Sequence, residues 1–174
     1  MRNSVKIFLI ILFSLFSNNL FAEDKIVVLD LKYVLNESKA GKSAQDYLKK
    51  TYNDNMEKFK QIEEKLKKEE QDLLAKKTVL SKEEYTKKSD TLRKKVIDYR
   101  SQRRAAMDKV TTLRAESRAT LIKSIEPILE TYIKENNISV VIKKVSTLGG
   151  TPKNDITKII VEKLNKVLPS LDLK

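Results

Sequence analysis

From Lys42 to Lys123 the chain has neither Gly nor Pro, and apolar residues recur at alternating steps of four and three. One stripe runs through Leu48, Tyr52, Asn55, Phe59, Ile62, Leu66, Glu69 and Leu73; a second runs through Tyr85, Ser89, Leu92, Val96, Tyr99, Arg103, Ala106 and Val110. This heptad rhythm predicts long helices wound against one another. The stripes are also mirror images about Val79, with opposed position numbers summing to 158. Leu66 then meets Leu92, Ile62 meets Val96, Phe59 meets Tyr99 and Leu48 meets Val110. The polar interruptions coincide, Glu69 with Ser89 and Asn55 with Arg103, and buried polar groups cost free energy unless they find partners. The pattern therefore predicts an antiparallel hairpin with its tip at Thr78 to Lys82 and legs on the order of 50 Å long. Ser81 and Glu84 form a capping-box signature for the returning helix. A single straight coiled coil is the alternative, but it must bridge the interruption at Thr78 to Ser81.

Shorter signals flank this arm. Ile26-Val27-Val28-Leu29, between charged residues, predicts a buried strand. Tyr33, Val34 and Leu35 begin a short helix expected to end near Gly41, where the chain turns into the arm. The returning helix continues through Leu121, Ile125, Ile128, Leu129 and Tyr132, with Pro127 expected to kink it where it enters the head. Asn136-Asn137 marks a turn, and Ile138, Val140, Val141 and Ile142 belong to the strongest strand signal. Val145 to Leu148 is a candidate further strand. A closing helix is expected from Pro152, capped by Thr151 or Asn154 and stopped by Pro169.

The expected fold class is thus α+β: a long antiparallel helical-hairpin (coiled-coil) arm, residues 42–123, projecting from a small β-sheet head, residues 23–41 and 124–174. Residues 1–22 read as a cleavable signal peptide. Arg2 and Lys6 precede an apolar run too short to span a bilayer, and Ala22 is the expected cut. The head has about 70 residues, which is marginal alone, and a two- or three-stranded sheet leaves edges that invite pairing. Without a disulfide or metal to staple it, oligomerisation through the sheet is expected.

Composition narrows the chemistry. Beyond Ala22 the chain has no Cys and no His, so thiolate or imidazole metal sites and Cys–His or Ser–His–Asp nucleophiles are excluded there. Asp30, Asp155 and scattered Lys and Ser form no convergent set, so an enzyme is not expected and no cofactor is implied. Residues 42–123 carry 23 Lys/Arg and 14 Asp/Glu, a net +9, nearly all of the excess charge. Most of these lysines serve solubility. The candidate contact clusters are Lys76-Lys77 with Lys82, Lys87-Lys88, Arg93-Lys94-Lys95 and Arg103-Arg104. Long-range attraction of this kind suits unfolded acidic polypeptide or anionic lipid. Nucleic acid is not expected as a partner, because no stacking or reading motif accompanies the charge.

In order and spacing, the signal segment, Ile26-Val27-Val28-Leu29-Asp30, Tyr33-Val34-Leu35, the charged hairpin, Ile138 to Ile142 and the Asp155-Ile156-Thr157 helix start resemble the Skp/OmpH family of periplasmic chaperones. Pro127 and the Lys-rich arm depart from that pattern. The resemblance implies a homotrimer whose β-heads associate, with Ile26–Leu29 and Ile138–Ile142 carrying much of the contact. Its arms surround a cavity that holds unfolded outer-membrane proteins without ATP. Anionic lipid or lipopolysaccharide is a further candidate partner, which the sequence leaves open. The competing reading is a structural or adaptor coiled coil of the envelope, binding one folded partner or anionic lipid.

Overall fold

The computed structural model describes residues 25–173; the signal segment expected over residues 1–22 lies outside them. The described residues form β1 (Lys25–Leu29), α1 (Leu31–Glu37), α2 (Lys39–Ala75), α3 (Lys82–Glu135), β2 (Ile138–Lys143) and α4 (Thr157–Val167). α2 and α3 are the legs of the hairpin. The 37 residues of α2 span about 55 Å at ~1.5 Å per residue. The 54 residues of α3 exceed that length, and the surplus runs over the head.

The mirror register holds where it can be read. The Phe59 and Tyr99 rings meet edge to face, with centroids 6.0 Å apart. Leu48 packs with Val110 and Leu113 in a buried cluster nearer the root. At the tip, the Ser81 hydroxyl accepts the Glu84 N–H at 3.2 Å and the Glu84 carboxylate accepts the Ser81 N–H at 3.2 Å. These reciprocal bonds satisfy donors that the first turn of a helix otherwise leaves orphaned.

The main core lies at the root of the arm. Val27, Leu29, Val34, Leu35, Leu121, Ile125, Ile138, Ile156, Ile160 and Leu164 are buried together there. β1 and β2 pair in parallel, Ile26 with Val140 and Val28 with Ile142, with a register shift next to Lys25. That shift inserts one residue, so Ile138 and Val141 both reach the core although they lie three apart. Asp30 caps α1 by accepting the Tyr33 N–H at 2.9 Å. Thr157, at the start of α4, accepts the Asp30 N–H at 2.9 Å and ties the closing helix to this corner.

Three local expectations are corrected. The break before the arm falls at Ser38, not near Gly41. Ser38 caps α2 by accepting the Gly41 N–H at 3.1 Å, and Gly41 lies in the first helical turn. A Cβ at Gly41 would collide with the Leu35 carbonyl oxygen, so glycine here permits close packing and does not end a helix. Val145 to Leu148 is not a strand. Lys144–Ser146 forms one 3-10 turn, closed by the Thr147 hydroxyl donating to the Lys144 carbonyl at 2.7 Å, and both Val145 and Leu148 project into solvent. The final helix begins at Thr157. Pro152–Asn154 makes a separate 3-10 turn, and the carboxylate that serves the helix start is that of Asp155, which accepts the Thr157 N–H at 2.9 Å.

Pro127 leaves α3 continuous to Glu135. It sits on the exposed side of the helix while its neighbours Ile125 and Ile128 face the core. The hydrogen bond it forfeits therefore lies on the side open to water.

Candidate interaction surfaces

Two surfaces have the character of interaction sites. The first is the outward face of the sheet. Alternation along β1 sends Val27 and Leu29 into the protomer core and leaves Ile26 46% exposed, with Val28 half-buried beside it. On β2, Ile138 is buried and Val141 packs against the core, while Val140 is 48% exposed and Ile142 half-buried. Of the eight strand residues expected at a subunit contact, Ile26, Val28, Val140 and Ile142 thus offer side chains outward. Val27, Leu29, Ile138 and Val141 are already used inward. In the two-stranded sheet β2 has a strand on one side only. β1 is flanked by β2 and, at Val28, by a single bridge to Asp155.

The second surface is the arm. All ten basic residues singled out in the sequence are exposed, but they do not form one patch. Lys76 and Lys77 lie in the tip turn and Lys82 opens α3. Lys87, Lys88 and Lys95 line one groove between the legs, together with Lys76, Glu69 and Asp72. Arg93 and Arg103 line the opposite groove, with Arg100 and Lys67. Lys94 stands on α3, and Arg104 approaches the Asp108 carboxylate at 3.9 Å.

Charge pairing ties the legs together. Lys95 donates to Glu69 across the hairpin at 2.7 Å. Glu63 accepts the Tyr99 hydroxyl at 3.2 Å and the Lys67 ammonium at 2.9 Å. Those hydrogen bonds, Lys67 first, hold the Glu63 carboxyl below its ordinary range. These groups are largely in water, so each pair adds little to the stability of the arm. The interior of the arm is sparse. Beyond Leu48 on α2 and Val110 on α3, Phe59 is the only fully buried side chain among the described residues.

Sequence reasoning missed Leu74, Ile97 and Arg100. Leu74 and Ile97 are each 57% exposed and line the same groove as Arg100. The doublets Leu73-Leu74 and Val96-Ile97 held the signal. One member of each fills the seam, so the other must face out. Among the described residues no helix is long and apolar enough to cross a membrane.

Comparison with known proteins places this arrangement. The family model described as Outer membrane protein (OmpH-like) matches residues 25–164. A Skp-like protein of Pseudomonas aeruginosa is 24% identical over 147 residues, 84% of this chain and 88% of that protein. A crystal structure from Caulobacter crescentus, of an OmpH-like protein described as a candidate outer membrane chaperone, superposes with a TM-score of 0.81. It covers 87% of this chain and 89% of that one at 16% identity, a likeness of fold.

Proposed function

The chain belongs to the OmpH-like outer membrane protein family, and from that premise we propose that it is an ATP-independent holdase chaperone of the periplasm. It captures unfolded outer-membrane proteins between basic helical arms and keeps them from aggregating. The observation that carries this reading is the arm itself. It is a two-helix hairpin about 55 Å long, with long grooves along both sides and a net +9 over residues 42–123. Such a surface attracts an acidic chain at a distance and holds it through many weak contacts, so the client stays mobile and releasable.

A single arm cannot enclose a client, and the sheet offers the means to gather several. Ile26, Val28, Val140 and Ile142 present an apolar outward face. Three heads joined through it would form the homotrimer that the family resemblance implies. The signal segment expected over residues 1–22 delivers the chain to the periplasm.

The test is light scattering after a urea-unfolded outer-membrane barrel protein is diluted into buffer with the purified chain, without nucleotide, at low and high salt. Suppressed aggregation at near-stoichiometric oligomer, weakening as salt rises, is the expected result. No suppression at either salt would overturn the proposal and favour an envelope adaptor that selects one folded partner.

A further inference from the structure

The two grooves of the arm are chemically different, and the difference is greater in kind than in net charge. The groove holding Lys76, Lys87, Lys88 and Lys95 also holds Glu69, Asp72 and Glu84, which leaves it at +1. Its cations are all lysines, and neither Leu74 nor Ile97 reaches it. The opposite groove holds Arg93, Arg100, Arg103 and Lys67 against Glu63 and Glu70, a net +2. Leu74 and Ile97 project into it, above half-buried seam residues including Leu66 and Tyr85.

Arginine and lysine behave differently at a contact. The guanidinium is weakly hydrated, stacks on aromatic rings and grips a carboxylate through two parallel hydrogen bonds. The ammonium is a strongly hydrated point charge. Interfaces are accordingly enriched in arginine and depleted in lysine. In the arginine groove Glu63 is engaged by Lys67 and by the Tyr99 hydroxyl. Among the described residues Arg100 and Arg103 form no ion pair within 4.0 Å, and Arg103 acts on Glu63 only as the weakest of the charges and hydrogen bonds that lower its pKa. Arg93 has only the exposed Asp90, at 3.0 Å, a pairing that a better partner displaces at little cost.

We propose that the Arg93–Arg100–Arg103 groove, with Ile97 and Leu74, is the face of the arm that contacts clients, and that the lysine groove opposite is a solvated back. Its occupant is an extended, unfolded polypeptide segment rich in aromatic and acidic side chains. Carboxylates pair with the guanidiniums, aromatic rings stack on them, and apolar side chains lie along Ile97 and Leu74. A long channel between two helices suits a thread of chain and not a flat bilayer. This inference rests on the holdase reading above, and it adds that the type of cation, not only the amount of charge, decides binding.

The experiment compares three variants of the full chain. Arg93→Lys/Arg100→Lys/Arg103→Lys keeps every charge. Leu74→Ser/Ile97→Ser removes exposed apolar surface. Lys87→Gln/Lys88→Gln removes charge from the back. All of these side chains are exposed, so circular dichroism should match the parent for each. Affinity is read by fluorescence anisotropy with a synthetic peptide of alternating tyrosine and aspartate, beside a serine–aspartate companion. The arginine-to-lysine and Leu74/Ile97 variants are each expected to weaken the tyrosine peptide by about tenfold. The lysine variant should weaken it by no more than about twofold, the share of long-range charge alone. The serine companion should bind weakly to all three. Equal affinity of the arginine-to-lysine variant and the parent overturns the assignment, and so does a larger loss in the lysine variant. Light scattering with the unfolded barrel protein separates the two readings. If the parent suppresses aggregation but the groove variants suppress it equally well, only the face assignment falls. If the parent does not suppress it, the holdase reading falls as well.

Discussion

Truncating Phe59 is the sharpest probe of how the arm holds together. Its side chain is 3% exposed, it meets Tyr99 edge to face at 6.0 Å, and no other described side chain in the outer arm is fully buried. Phe→Ala in a packed core costs about 3–5 kcal/mol, and an aromatic pair adds about 0.5–1.5 kcal/mol to simple burial. A two-helix arm can close part of the gap, because Tyr99 and the Lys58 stem are free to lean in. The expected loss is therefore near the lower end, about 3 kcal/mol, or roughly a hundredfold in the opening equilibrium at 1.4 kcal/mol per decade. The effect should also be local. Leu48, Val110 and Leu113 form their own cluster towards the root, and the main core lies beyond that. Hydrogen exchange read by mass spectrometry should show Phe59→Ala losing protection from about residue 52 to the tip and back to about residue 106, with residues 110–125 unchanged. Phe59→Leu should recover most of the loss. Unchanged protection around Phe59 would refute the register; an equal loss at the root would refute the claim that the outer arm opens by itself.

Other expectations follow from single contacts. Ser81→Ala removes the hydroxyl that accepts the Glu84 N–H and leaves the backbone half of the capping box in place; it should destabilise the tip by about 1 kcal/mol, seen as faster amide exchange at residues 82–86. Gly41→Ala drives a methyl against the Leu35 carbonyl; it should lower the melting temperature of the head, whereas Ala44→Gly nearby should cost only about 1 kcal/mol. Val140→Asp on the outward sheet face should leave a folded protomer by circular dichroism yet reduce its sedimentation coefficient to that of a monomer; an unchanged oligomer would exclude this face from the interface. Burial raises the Asp155 pKa, but hydrogen bonds from the Lys144 ammonium and from Thr157 outweigh it and hold the carboxyl at about 2, against an ordinary 3.8. The folded value is depressed, so the stabilisation is fully present above pH 4 and is lost as pH falls through about 2. Asp155→Ala should thus cost about 1–2 kcal/mol at neutral pH, with the gap in melting temperature closing between pH 4 and pH 2.

The parts of the fold that were legible in the sequence are those set by repetition. Leu48, Phe59, Tyr99 and Val110 could be paired because a seam repeats and its mirror symmetry fixes the register. Ser81 with Glu84 could be read because a capping box is a local motif. The Ser38 break was obscured because Gly41 carries a stronger turn signal, and only the position of the Leu35 carbonyl shows that the glycine is there for close approach. Val145 and Leu148 have strand-like character, yet both project into solvent. Lys144 instead turns towards Asp155, at 2.7 Å, and the segment closes into a turn. The parallel pairing of β1 and β2 joins residues more than a hundred positions apart, so no local pattern encodes it. It follows from the arm, which carries the chain out and back, and from one more reversal at Asn136-Asn137, where Asn137 takes the positive φ of 49° that asparagine tolerates better than most residues. The seam likewise fixes which residues flank it, but not which groove each one enters. That depends on how the two legs sit together, and it is why, of ten basic residues that look equivalent in sequence, Lys76, Lys87, Lys88 and Lys95 enter one groove and Arg93 and Arg103 the other. Charge reversal at Lys76 and Lys87 therefore probes long-range attraction, while Arg100→Lys, which changes no charge, probes contact. If attraction alone governs capture, the first change should abolish it and the second should be silent.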